Sequence, residues 1–260
     1  MELGLRGRSA LVTGASQGIG RATALELARE GVAVALTART AADLDSVRDE
    51  IVAKYGVEAR TFPLDLSDSK SVAVLARECS TIDILVNNAG AIPRGRIDEI
   101  DERRWREVWD LKVFGYINMT RAFYALMKPR RKGVIVNILG NGGELLDAGY
   151  ICGSTGNAAL MAFTRALGGA SHKDGVRVVG INPGPVATER LVALMQKEAK
   201  DRLGTPDRWR ELMQPFPFER AGTSEEIACM VALLASDLSA YTTGTVITID
   251  GGMVNGNSLI

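Results

Sequence analysis

The stretch SALVTGASQGIGRATALELAREG, Ser9 to Gly31, decides the fold. Its apolar opening, SALVTG, reads as a strand, and GRATALELAREG reads as a helix. The turn TGASQGIG, Thr13 to Gly20, joins them. Glycines at 14, 18 and 20 permit a tight turn and close approach of a ligand's phosphates to the backbone. The helix start behind the turn offers free N–H groups and the positive end of its dipole. A glycine-rich turn alone is common; one that follows a strand and opens a helix points to dinucleotide binding.

Outward from this unit the same alternation repeats. VAVALTAR, ARTFPLDL, IDILVNN, GVIVNIL, VRVVGINPG and GTVITIDGG read as strands. Longer amphipathic stretches separate them, with helical regions expected at about 98–128, from near 150 to 170, and at 188–213. The strands are continuous apolar runs, as parallel strands buried on both faces should be. Seven such units with short connections predict one α/β domain over 1–260: a doubly wound parallel sheet with helices on both faces. No linker and no internal period interrupts it.

The 260 residues carry a formal net charge of +0 and are 46% hydrophobic. That supports a substantial core and argues against a nucleic acid or a membrane surface as partner. Three scattered cysteines, Cys79, Cys152 and Cys229, form neither a disulfide framework nor a metal cluster. The lone histidine, His172, lies in the polar stretch SHKDG, so no metal site is expected. The N-terminus runs directly into a strand without a signal peptide, and no apolar run reaches spanning length, so a cytoplasmic location is expected.

TGASQGIG, NNAG (Asn87–Gly90), INPGPVAT (181–188) and the closing ITIDGG together resemble the short-chain dehydrogenase/reductase family, in order and over essentially the whole chain. The resemblance implies a Rossmann-type sheet of strand order 3-2-1-4-5-6-7 and a nicotinamide dinucleotide. It implies cofactor contacts from Gly14, Ser16, Gln17, Gly18, Ile19 and Gly20, and from Asp65 and Leu66 near the adenine. Asn88 and Gly90 fall near the ribose, and Pro183, Gly184 and Thr188 near the nicotinamide end. Asn87 reads as a strand-bracing residue. NAD enzymes place a carboxylate at the end of the second strand. Here LTART has none, and Arg39 is available for a 2′-phosphate, so NADP(H) is favoured over NAD(H).

The resemblance also implies an Asn-Ser-Tyr-Lys tetrad, with the tyrosine as general acid/base. Counted without gaps from NNAG and from the later Pro-Gly motif, those positions are Lys112, Gly140, Gly153 and Asn157. The alternative makes Tyr150 of YICGSTGNAAL the family's tyrosine. It needs a three-residue insertion inside a packed helix, which turns the downstream face by about 300°. The ungapped register is therefore preferred. Lysine and asparagine then appear exchanged. Lys112 is either an electrostatic stabiliser, a base if burial lowers its pKa, or an outward solvated lysine. Asn157 is either a ribose ligand or a surface amide. Tyr150 stands one helical turn before Gly153, and its ring can serve as acid/base only by leaning into the room the glycine leaves. Helical side chains point the other way, toward the N-terminus. Glu144 is a loop carboxylate.

Beyond PGPVAT, Leu191, Leu194, Met195, Trp209 and Phe216 make a segment at about 188–217 that the family uses as a substrate lid, which implies an apolar carbonyl or alcohol substrate. The expectation is an NAD(P)(H)-binding oxidoreductase with a non-standard acid/base site. The alternatives are an inactive cofactor-binding sensor or partner subunit, or non-redox reuse of the pocket. The family also implies a homotetramer or dimer through the helices at 98–128 and 150–170.

Overall fold

The computed structural model describes residues 2–256. Seven parallel strands form one sheet: β1 (Ser9–Thr13), β2 (Ala33–Ala38), β3 (Ala59–Pro63), β4 (Ile84–Asn87), β5 (Gly133–Ile138), β6 (Val176–Pro183) and β7 (Val246–Ile249). Their order is 3-2-1-4-5-6-7, as expected. Side chains alternate between the two faces of a strand. In β1, Ala10 and Val12 join one core and Leu11 the other; in β4, Ile84 and Val86 separate from Leu85 in the same way.

The first face is covered by α1 (Gly18–Arg29), α2 (Ala41–Tyr55) and α8 (Ser224–Ala235), which bring Leu27, Leu44, Ile51, Ile227 and Val231 onto the sheet. On the second face, α3 (Ser69–Glu78) and α5 (Gly115–Arg130) contribute Leu75, Met119, Phe123 and Met127. Helix α6 (Ile151–Ser171) buries Leu160 and Met161 beside Leu139. Thr223 and Glu226 cap α8 reciprocally, each side chain bonded to the other's backbone.

The region expected to be helical at about 98–128 is built in three pieces. α4 (Glu102–Trp109) passes through one wide π turn at Asp110–Phe114 into α5. Such turns concentrate at functional sites, and this one carries Lys112. The expected excursion at 188–213 is α7 (Glu189–Leu203) followed by 3-10 turns at Pro206–Met213. It is lightly attached: Ala199 is the one buried residue of α7, and Met213 that of the following turns.

Side-chain amides fasten the middle of the sheet. Asn87 Nδ2 donates to Asn137 Oδ1 (2.9 Å) and Thr120 Oγ1 (3.1 Å), and Asn137 Nδ2 donates to Thr164 Oγ1 (2.9 Å). All four residues are buried, so the network ties β4 to β5 and to the helices α5 and α6. Asn87 therefore braces strands.

Candidate active site

At the C-terminal ends of β1, β2 and β4 the turn of residues 13–20 opens a groove of about 390 Å³. Ligands of open α/β sheets bind at this edge, where the strand order reverses. Gly14, Ser16, Gln17, Gly18, Ile19, Arg39, Asp65, Leu66, Asn88, Gly90 and Thr188 all line it. Gly20 does not; it lies behind the wall. A Cβ there would fall 2.1 Å from the Gly14 carbonyl oxygen and 2.5 Å from Asn88 Nδ2. Gly14 and Gly18 take positive φ, 65° and 54°, conformations that glycine adopts without penalty.

Thr13 Oγ1 accepts from the backbone N–H of Asn88 (2.8 Å) and Ala89 (3.0 Å), locking the NNAG turn to β1. Asn88 Nδ2 donates to the carbonyls of Thr13 and Gly14. Its amide is thus committed to the loop. Asp65 Oδ1 accepts from the Ser67 backbone and hydroxyl. Arg39 is exposed and, among the described residues, forms no ion pair. These residues fit a dinucleotide: a backbone cradle that a Cβ at 20 would displace, a helix N-terminus, and the exposed Arg39 at the rim.

A second cavity, of about 550 Å³, adjoins the groove through Gly90, Thr188 and Arg190. Its lining includes Lys112, Gly140, Tyr150, Asn157, Pro183 and Gly184. The plainer reading of Lys112, a solvated surface lysine, is overturned: it is buried, and Gly90 has no Cβ because one would fall 2.5 Å from Lys112 Cδ. Nζ donates to Tyr116 Oη (2.7 Å) and the Ile138 carbonyl (2.7 Å), with no carboxylate partner among the described residues.

Burial pushes the Lys112 amine down to about 7. The unfolded chain, near its ordinary value of about 10.4, still holds the proton that the folded chain releases above that point. Stability therefore rises with pH between the two values and is lost as pH falls toward 7. The protein is expected to be about 2 kcal/mol more stable at pH 9 than at pH 7 from this group. Urea unfolding at both values measures it, and Lys112→Met should flatten the difference; an unchanged pH slope in that variant would refute the assignment.

The objection to Tyr150 is also overturned, for a backbone reason. Tyr150 is not helical; it is the residue that precedes α6, with φ −136° and ψ 33°. Asp147 sets this turn by accepting from Gly149 N through its side chain and from Tyr150 N through its carbonyl. Gly95 N donates to the Gly149 carbonyl across the adjoining loop. The ring consequently lies where a side chain at 153 would start: a Cβ on Gly153 would fall 2.0 Å from Tyr150 Cζ. Burial pushes the phenol above its ordinary value, with Arg190, Arg94 and the Asn157 amide pulling the other way. Asn157 is buried, with Nδ2 3.1 Å from the point where a Cβ on Gly140 would stand, and Oδ1 without a partner. The plainer reading of Asn157 as a surface amide fails. Glu144 is engaged by Arg165 and Thr248 and offers no free carboxylate.

A family model described as short chain dehydrogenase matches residues 8–199. The chain belongs to the short-chain dehydrogenase family. It is 34% identical to the 3-oxoacyl-(acyl-carrier-protein) reductase of Aquifex aeolicus over 97% of this chain and 100% of that one. It is also 34% identical to gluconate 5-dehydrogenase of Gluconobacter oxydans, over 96% and 95%. Among solved structures, L-sorbose reductase of Gluconobacter frateurii complexed with NADPH and L-sorbose superposes with TM-score 0.92 at 28% identity, covering 98% of this chain and 100% of that one. In this short-chain dehydrogenase, Lys112, Gly140 and Asn157 line one cavity. At Gly153 the Tyr150 ring stands where a side chain would begin. The π turn and the non-helical Tyr150 are what sequence reasoning missed; the run GYICG, with glycines at 149 and 153 about Tyr150, is the one local hint of an unusual turn.

No helix among the described residues is long and apolar enough to cross a membrane.

Proposed function

We propose that this protein is an NADP(H)-dependent oxidoreductase acting on a carbonyl/alcohol pair, with Tyr150 as the acid/base. The observation that carries the reading is the Tyr150 ring seated over Gly153, facing the cavity beside the NNAG turn. A bound nicotinamide dinucleotide supplies the hydride. Tyr150, held neutral by its raised pKa, gives its phenol proton to the substrate oxygen during reduction and takes it back during oxidation. The Asn157 amide, on the same cavity, draws the phenol's pKa down and so favours the anion left after transfer. Lys112, Gly90 and the Ile138 carbonyl form the wall beneath, where a buried amine stabilises negative charge developing nearby.

The residues of the 13–20 turn, with Asp65, Leu66, Asn88, Gly90, Pro183, Gly184 and Thr188, hold the dinucleotide; Arg39 receives the 2′-phosphate. Helix α7 and the turns to residue 217 act as the lid, in keeping with their few buried side chains. The half-exposed Phe114, in the π turn between α4 and α5, supports a dimer or tetramer built through those helices.

The test is NADPH and NADH oxidation across a panel of apolar ketones and aldehydes. Turnover is expected with NADPH, at about a tenfold or greater preference in kcat/KM that Arg39→Ala removes. Tight NADPH binding without turnover on any carbonyl would instead favour a cofactor-binding sensor or partner subunit. That second reading draws support from the amide at 157, which carries no charge to depress the phenol.

A further inference from the structure

Among the described residues, the cavity beside Tyr150 carries one exposed cation without a counter-ion. Arg190 opens α7 and lines both the cavity and the neighbouring groove. Its Nη2 donates to the Ile92 carbonyl at 2.9 Å, which tethers the guanidinium. Its remaining N–H groups have no hydrogen-bond partner, and it joins no ion pair, among the described residues. The other charges around the cavity are spoken for. Arg94 is paired with Asp147. Lys112 is buried beneath Gly90 and bonded to Tyr116 and Ile138. Apolar side chains share the lining: Leu145, Leu191, Leu194 and Phe216 belong to it, and Leu145 and Leu194 stand 44% and 49% exposed.

We propose that Arg190 is an anion subsite, and that the cavity takes carbonyl or alcohol compounds bearing a carboxylate on an apolar body. A guanidinium tethered by one bond, with its other donors free, is pre-organised for a carboxylate. The apolar side chains receive the body of the same molecule, in the cavity that Tyr150 also lines. The identification of the cavity as the substrate chamber comes from the proposed function; the charge pattern that names the substrate class does not.

Calorimetric titration of the full chain, with and without saturating NADPH, tests this with octanoate and its neutral counterpart octanamide. Octanoate is expected to bind at least about tenfold more tightly, and Arg190→Gln should remove that preference while leaving octanamide binding unchanged. Arg190→Lys should retain part of it. Equal affinities in the wild type, no measurable octanoate binding, or a preference that survives Arg190→Gln overturns the proposal. So does an Arg190→Gln variant that weakens NADPH while octanoate shows no preference, since the guanidinium then serves the dinucleotide's phosphates. The readout is independent of turnover. A chain that binds octanoate through Arg190 yet reduces no carbonyl fails the redox reading alone, and a chain that reduces neutral ketones without an octanoate preference fails the anion subsite alone.

Discussion

Tyr150→Phe is expected to lower kcat/KM for a ketone or aldehyde by about 10²–10⁴-fold, the usual worth of a positioned general acid. The phenyl ring still fills the space over Gly153, so the fold, the cavity and NADPH affinity should stay as they are. A loss in kcat with unchanged NADPH binding is therefore the signature. A companion variant separates the hydroxyl from its position. Gly153→Ala places a methyl group 2.0 Å from Tyr150 Cζ, so the ring must leave its seat. Activity should fall to a similar degree although the phenol is intact. If Tyr150→Phe retained wild-type turnover, the proton would have to come from elsewhere, and Lys112 would become the first candidate.

Gly20→Ala carries the other large effect, on cofactor binding. The added methyl would stand 2.1 Å from the Gly14 carbonyl oxygen, a backbone atom that cannot rotate away. The turn and the start of α1 must separate, at a cost of about 1–3 kcal/mol in stability. The N–H groups that would face a pyrophosphate move with them. NADPH affinity, read by fluorescence titration, should drop by about a hundredfold, corresponding to about 2.7 kcal/mol. An affinity within threefold of the wild type would mean that the 13–20 turn does not hold the phosphates.

The architecture was legible because the signals for it are local. β1 turns into α1 through glycines whose spacing is itself the geometry, and each apolar run of four to eight residues became a parallel strand. The catalytic end was harder, for a physical reason. Its side chains are placed by departures from regular backbone that leave almost no trace in residue type. The π turn at Asp110–Phe114 carries Lys112 into the interior, and a helical pattern over the same residues gives no reason to expect it. Tyr150 looked misdirected only while it was assigned helical geometry. Its actual backbone, set by Asp147, sends the ring onto Gly153. Counting positions marked Gly153; it could not show that the Tyr150 ring lies over it.

The amide network of Asn87, Asn137, Thr120 and Thr164 has a consequence for how such a protein can change. It ties β4 and β5 to α5 and α6, while α7 and its following turns hang on Ala199 and Met213. Substitutions in the rim therefore draw little on the stability reserve. Residues of α7 and its turns can then be exchanged one at a time over a sheet whose coordinates stay put.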